Sequence, residues 1–321
     1  MKRRIISILV VAVMMLSVLT ACGGGEGGSS KMLMATGGTS GTYYGFGGAV
    51  AQMLGSETNI SVTAVATGAS KENIQNIDAG NNQLGIVQND VMDYAYNGTN
   101  TFAEDGAVSS FRTVAGLYAE QVQIVTMDPE IKSVADLAGK SVSIGAAGSG
   151  VYYNAIDVLG AYGLTEEDID AQYLSFADSA ESVKDGKIQA AFITAGAPTT
   201  AITELATSND VYLVPIDDEH ADALIEACPY YTVCTIPAGT YESQAEDIQT
   251  VTVKATLIVA ESASEDDVYT LTKAIFENVD SIAHAKNVEL NLDNAVEGIS
   301  VPFHAGAAKY FAEQGYTVET K

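Results

Sequence analysis

Two short apolar runs each lead into a loop of small residues, a Tyr-Tyr pair and a helical pattern. The first is Met32-Leu33-Met34-Ala35-Thr36 followed by Gly37-Gly38-Thr39-Ser40-Gly41-Thr42-Tyr43-Tyr44. The second is Val142-Ser143-Ile144 followed by Gly145-Ala146-Ala147-Gly148-Ser149-Gly150-Val151-Tyr152-Tyr153. A small-residue loop at a helix start leaves backbone N–H groups unpaired, and the dipole behind them favours an anion there. Two such cradles, one lobe apart, point to a clamp on one small anionic ligand. The copies are unequal: the first offers Thr39, Ser40 and Thr42, whereas the second keeps Ser149 and carries Val151. The first lobe is therefore expected to be the polar half of the grip. Tyr43 and Tyr152 read equally well as packed aromatics. Asp90 reads as support for a helix start rather than an anion contact, because like charges repel.

The elements that hold these loops alternate between strand and helix, which argues for an α/β architecture. Ile60–Val65 alternates with period two and is expected as a strand, followed by a helix over 70–78. Leu84 to Asp90 reads as a buried strand ending in polar residues, with Asn89 as the cap of a helix over 91–96. The second half repeats this plan with a strand and helix over 142–162, a strand over 172–176, a helix over 179–184 and a strand over 189–194. Ser149 lies 109 residues after Ser40, and Gln189 lies 106 after Gln83, so order and offset agree. A strand over 251–259 and helical stretches over 264–279, 292–298 and 306–314 close the chain. Folding that tail back onto the first lobe requires two crossings, expected near Tyr118–Val125 and Tyr231–Ile236. The ligand then lies in the inter-lobe cleft. The expected organisation is a first lobe of residues 31–120 plus 237–321 and a second of 121–236.

The N-terminus sets the compartment. Lys2-Arg3-Arg4 precedes an apolar run from Ile5 to Leu19, too short for a typical membrane span. Leu19-Thr20-Ala21-Cys22 resembles the lipobox of bacterial lipoproteins, which implies cleavage after residue 21 and a lipidated Cys22. The Gly/Ser-rich stretch over 22–30 reads as a flexible tether to the extracytoplasmic face of the cell membrane. Loss of Lys2, Arg3 and Arg4 deepens the formal charge from −26 to −29. Such acidity disfavours nucleic-acid binding and suits an exposed, soluble receptor, expected as a monomer. Arg112 is the single arginine after residue 4, so a ligand carboxylate depends mainly on backbone N–H groups, hydroxyls or lysine. Cys228 and Cys234 are spaced to permit a disulfide in an exported protein, and free thiols are an equal alternative. His220, His284 and His304 form no metal-ligand pattern, and no metal or cofactor is expected.

Further along, the chain resembles the TAXI family, the extracytoplasmic receptors of TRAP transporters. The resemblance rests on the first loop through Tyr44, on Gly85-Ile86-Val87-Gln88-Asn89-Asp90, on Gly148-Ser149-Gly150, and on Tyr230-Tyr231. It extends through Thr235-Ile236-Pro237-Ala238-Gly239-Thr240-Tyr241, Thr272 to Asn278 and Val301-Pro302-Phe303-His304-Ala305-Gly306-Ala307. It departs where Gly45 stands in place of a proline and Val151 in place of a threonine. The resemblance implies a two-lobed, type II periplasmic-binding-protein-like fold that holds glutamate, a related amino acid or a dicarboxylate and passes it to a TRAP permease. It implies ligand contacts from Gly38, Thr39, Ser40, Tyr43 and Gln88 in the first lobe, and from Ser149, Gly150, Val151 and Ala197 in the second. Thr194-Ala195-Gly196-Ala197-Pro198 adds a further expected helix start.

Two other readings compete. An ABC-linked receptor would have the same domain and differ in its membrane partner. An exported hydrolase would need a nucleophile, but Gly-x-Ser-x-Gly is missing at Ser40 and at Ser149. Gly139-Lys140-Ser141 is no P-loop, because position 134 is Val and the segment precedes a strand instead of following one.

Overall fold

The computed structural model describes residues 30–321. Cys22, the segment over 1–21 and all of the tether before Ser30 lie outside the described residues.

Three parallel strands open the first lobe: β1 (Ser30–Ala35), β2 (Ile60–Val65) and β3 (Leu84–Gln88). They alternate with helices α1 (Thr42–Glu57), α2 (Ser70–Asp78) and α3 (Asn89–Asn97). β3 reads Leu-Gly-Ile-Val-Gln and is buried throughout, as a strand covered on both faces must be. A 16-residue strand, β4 (Phe111–Thr126), then carries the chain into the second lobe. That lobe repeats the pattern with β5 (Ser141–Ser143), α4 (Gly150–Ala161), β6 (Asp170–Gln172), α5 (Phe176–Lys184), β7 (Ala190–Ala195) and α6 (Thr200–Ala206). β8 (Tyr212–Val214), α7 (Asp218–Ala227) and β9 (Thr232–Ile236) complete it. The long strand β10 (Ile248–Ala260) returns, and α8 (Glu265–Glu277), α9 (Leu292–Val296) and α10 (Ala305–Glu313) pack on the first lobe.

The strands run β2-β1-β3-β10-β4-β7-β5-β6, with β8 beside β4 and β9 beside β10. β10 and β4 are antiparallel neighbours, and each is shared between the lobes. The early half of β4 pairs with β10 near Phe111, and its last residues, Gln121–Thr126, pair with β7. Apolar clusters cover both faces of each lobe. In the first lobe α1, α8 and α10 cover one face, and α2 and α3 the other. In the second, α4 and α7 lie opposite α5 and α6.

β4 passes from pairing with β10 to pairing with β7 at Gln121. The second crossing comes later than expected: Ile236, Tyr241 and Ile248 pack with Val125, Val183 and Ile193 of the second lobe, and the return lies within β10. A boundary at 236/237 would split that cluster. Two local assignments also differ. The strand expected over 172–176 ends at Gln172, because Ser175 caps α5 by accepting from the Asp178 N–H at 3.2 Å. Asn89 is the first residue of α3 rather than its cap, and its Oδ1 accepts the Lys254 N–H at 2.9 Å. The helix expected close to Pro198 begins at Thr200.

Candidate functional site

The C-terminal ends of β1 and β3 and the starts of α1, α2 and α4 converge on one cavity between the lobes. It comprises about 380 Å³ of space between atoms, including its mouth, and is lined by Gly37, Gly38, Gly41–Tyr43, Ala69, Ser70, Gln88 and Glu120 from the first lobe. Gly150, Val151, Phe176, Thr194 and Ala195 line it from the second. Such a crevice at the carboxyl ends of α/β strands is where ligands bind in open sheets. A second hollow adjoins it through the shared residues Gly38, Ala69, Val151 and Phe176, and adds Thr39, Ser40 and Ser149.

The residues singled out from sequence therefore divide. Gly38, Tyr43, Gln88, Gly150 and Val151 reach the inner cavity. Thr39, Ser40 and Ser149 line the outer hollow. The Ser149 hydroxyl is also occupied, because it caps α4 by accepting the Tyr152 N–H at 3.2 Å. Ala197 lines neither space, and its N–H donates to Gln121 Oε1 at 2.9 Å. Of the paired tyrosines, Tyr43 is buried on the cavity wall while Tyr44 faces solvent. Tyr152 turns aside to donate to Glu166 at 2.9 Å. Arg112 is remote from the cleft, held by Glu261 and the carbonyls of Ser109 and Phe111.

Neither α1 nor α2 has a side-chain cap on its N-terminal N–H groups, which leaves donors at the cavity wall. α2 starts after Ala69, a non-glycine residue at φ +78° that also lines the cavity. That conformation is costly for alanine, and such costs collect at binding sites.

Glu120 is the side chain that sequence reasoning missed. It is 2% exposed, and its Oε2 accepts from the Tyr43 hydroxyl at 2.6 Å. Burial pushes its carboxyl up to about 8, with Tyr43's hydrogen bond working the other way. Asp90, also buried, is pushed up to about 7 by burial, against donors from the Val91 N–H and Asn154 Nδ2. Asp90 does support the start of α3, as expected. The polar weight of the cavity lies in the first lobe, carried by Tyr43, Gln88 and Glu120 more than by the loop hydroxyls.

Direct bonds cross the cleft. Thr42 Oγ1 donates to the Gly196 carbonyl at 2.8 Å, and the Ala201 N–H donates to the Ser40 carbonyl at 3.1 Å. Gln88 Nε2 donates to Asn154 Oδ1 at 3.1 Å, while Asn154 Nδ2 donates to Asp90 Oδ2 at 3.1 Å and Tyr230 donates to Asp93 at 2.6 Å. These contacts make the conformation a closed one. Two buried side-chain oxygens stay unpartnered at the cavity: Gln88 Oε1, an acceptor, and the Thr194 hydroxyl, which can donate or accept.

The model of the NMT1-like family matches residues 34–315. The chain belongs to the NMT1-like family. Its solved neighbours include the alkanesulfonate-binding protein SsuA of Xanthomonas axonopodis pv. citri bound to MOPS (15% identity, 89% of this chain and 91% of that one, TM-score 0.50). PhnD1 of Prochlorococcus marinus in complex with methylphosphonate is similar as well (12% identity, 83% and 90%, TM-score 0.53). A protein of Bordetella bronchiseptica RB50 matches at 16% identity over 88% and 89% of the chains, with a TM-score of 0.54. The fold is the mixed α/β, two-lobed fold of type II periplasmic binding proteins.

Proposed function

We propose that this NMT1-like protein is an extracytoplasmic receptor that captures a small solute by closing its lobes and hands it to a membrane permease, making and breaking no covalent bond. The observation that carries the reading is the inter-lobe cavity itself. Uncapped helix starts, two unpartnered side-chain oxygens and a buried carboxyl meet there, under hydrogen bonds that join the lobes directly. An anionic group of the solute fits the N-termini of α1 and α2, with Gly38, Tyr43, Gln88, Gly150 and Val151 around it and Thr39, Ser40 and Ser149 at the mouth. Cys22 would carry the lipid that tethers the receptor outside the membrane.

For the permease, the alkanesulfonate- and methylphosphonate-binding neighbours fit an ABC-type importer better than a TRAP permease. The TRAP reading stands second, supported by the motif resemblance to TAXI receptors. A gene for an ATPase beside this one favours the first, and a gene for a large multi-span permease without an ATPase favours the second.

Native mass spectrometry of the purified protein, followed by thermal shift with amino acids, carboxylates, sulfonates and phosphonates, tests the receptor reading. A true ligand at 100 times its Kd stabilises the fold by about 2.7 kcal/mol. A protein that carries nothing and responds to no member of the panel would refute it.

A further inference from the structure

The inner cavity sets two charge preferences against each other. The starts of α1 and α2 suit an anion, yet the wall between the lobes carries a carboxyl, that of Glu120. Among the described residues, no arginine, lysine or histidine lines this space. An ionised Glu120 would repel any anion drawn to the helix starts, strongly so in a medium of low dielectric. A neutral Glu120 removes the repulsion and adds a donor.

The surroundings favour the neutral form. Glu120 is buried within β4, and the Tyr43 hydroxyl donates to its Oε2, while Oε1 has no hydrogen-bond partner among the described residues. Asp90, from the start of α3, acts on it as a like charge. Tyr43 from α1 and Tyr118 from β4 are phenols that burial raises well above their usual range, so both stay protonated. Lys286, in the tail segment over 285–289, acts the other way, but its ammonium donates to Glu289 at 2.7 Å. The wall of the second lobe, Gly150, Val151, Phe176, Thr194 and Ala195, is uncharged. Burial is the largest of these effects and keeps the proton on the carboxyl. A carboxyl held neutral in this way is an O–H donor. Its best acceptor is an anionic oxygen, because a charge-assisted bond is about twice as strong as a neutral one. The unpartnered Thr194 hydroxyl on the facing wall can donate to the same group.

We propose that Glu120 grips the solute as a carboxylic acid: its O–H donates to an anionic oxygen of the solute at the helix starts, so that the cleft holds the anion and one proton together. The Tyr43 hydroxyl, spent on Oε2, leaves Oε1 to carry that proton. Where Glu120 is ionised before binding, the proton comes from solvent, and no covalent bond of the solute changes. This role rests on the receptor reading above and specifies how such a receptor holds an anion with no cationic side chain in its cavity. Affinity therefore falls as the pH rises past the point at which Glu120 of the empty cleft ionises.

The test is calorimetry of the full chain with succinate, glutarate, glutamate and ethanesulfonate, whose acid groups stay ionised from pH 7 to 9. Each one that binds is expected to weaken about tenfold over that range, because Glu120 must first regain its proton. Titrations in two buffers of different ionisation heat are expected to show close to one proton taken up per anion at pH 9, and little uptake at pH 7. Two variants, with folding checked by thermal melting, form the second arm. Glu120→Ala removes the donor and is expected to weaken binding at pH 7 by about tenfold or more. Glu120→Gln returns an N–H donor that does not titrate, and is expected to recover part of that loss with equal affinity at pH 7 and 9. A flat wild-type profile, proton release on binding, a decline that survives in Glu120→Gln, or a Gln variant no better than the Ala variant each overturns the acid's role and leaves the receptor reading standing. If none of the four acids binds, the acid's role falls. The receptor reading falls only when the wider panel and native mass spectrometry are blank as well.

Discussion

Gly150, the first residue of α4, packs against the side-chain amide of Gln88 at the end of β3, so closely that a Cβ at position 150 would overlap Gln88 Oε1. The two residues belong to opposite lobes. Their contact joins the two lobes across the cleft, beside the bond from Gln88 to Asn154.

Gly150→Ala is the direct test. Alanine in a helix is favoured over glycine by about 1 kcal/mol, so the ligand-free protein is expected to melt at the same temperature or slightly higher. Ligand affinity is expected to fall, because the Gln88 amide must give up its bond to Asn154 and turn aside before the lobes can meet. Calorimetry with the solute found by native mass spectrometry, combined with small-angle scattering, reads both effects. A variant that closes and binds normally would show that the contact is incidental.

Much of the frame around this contact was readable in advance, and the reason is local. β2 and α2 matched their expected bounds, because strict alternation and a helical pattern ended by Gly80 are short-range signals. Both cradles lie where a small-residue loop precedes a helix. Glu120 was hidden because nothing near it in sequence marks it: it lies within a mostly apolar 16-residue strand and meets Tyr43 from 77 positions away. Phe176 was hidden by an apolar run that reads as strand until Ser175 is seen to cap a helix. The second crossing was misplaced because β10 is shared between lobes, and only three-dimensional packing shows which core each part of it joins.

Asn154 is the second element of closure. From α4 it accepts from Gln88 and donates to Asp90 and to the Tyr231 hydroxyl, at 3.1, 3.1 and 2.8 Å. Asn154→Ala takes the side-chain amide donor from a buried carboxyl and the acceptor from Gln88 Nε2. The expected cost is about 1–3 kcal/mol in denaturant unfolding, with a larger radius of gyration at saturating ligand. Unchanged unfolding and scattering would remove Asn154 from the closing apparatus.

Cys228 and Cys234 are free thiols, so the disulfide that their spacing permits is not formed in this structure. Burial pushes Cys228 up to about 11 and Cys234 up to about 12. The thiolate is the reactive form, so both are expected to alkylate far more slowly at pH 8 in the native protein than in guanidinium. Peptide mass mapping after a timed pulse of iodoacetamide measures each site separately. Rapid native labelling of both would contradict the burial.

The buried carboxyls also set a pH dependence. Glu120 rises from about 4.5 unfolded to about 8 folded, and Asp90 from 3.8 to about 7. Between those limits the folded state holds more protons than the unfolded chain, so stability falls as pH rises through that range. His284 and His304, both held low by burial, act in the opposite sense, but only below their ordinary value of 6.5. The window from pH 7 to 8.5 is therefore governed mainly by Glu120 and, at its lower edge, Asp90, with a smaller loss at its upper edge from Cys228 and Cys234, whose thiols burial also raises. The ligand-free protein is expected to lose on the order of 1–2 kcal/mol across that window, at a limit of about 1.4 kcal/mol per pH unit per proton. Glu120→Gln is expected to flatten most of the slope, and Tyr43→Phe to shift the decline to lower stability at every pH by removing the carboxyl's one side-chain donor. Urea unfolding at pH 7, 7.5, 8 and 8.5 for the three proteins measures this. A flat wild-type profile would mean that Glu120 is already ionised at neutral pH in the empty cleft.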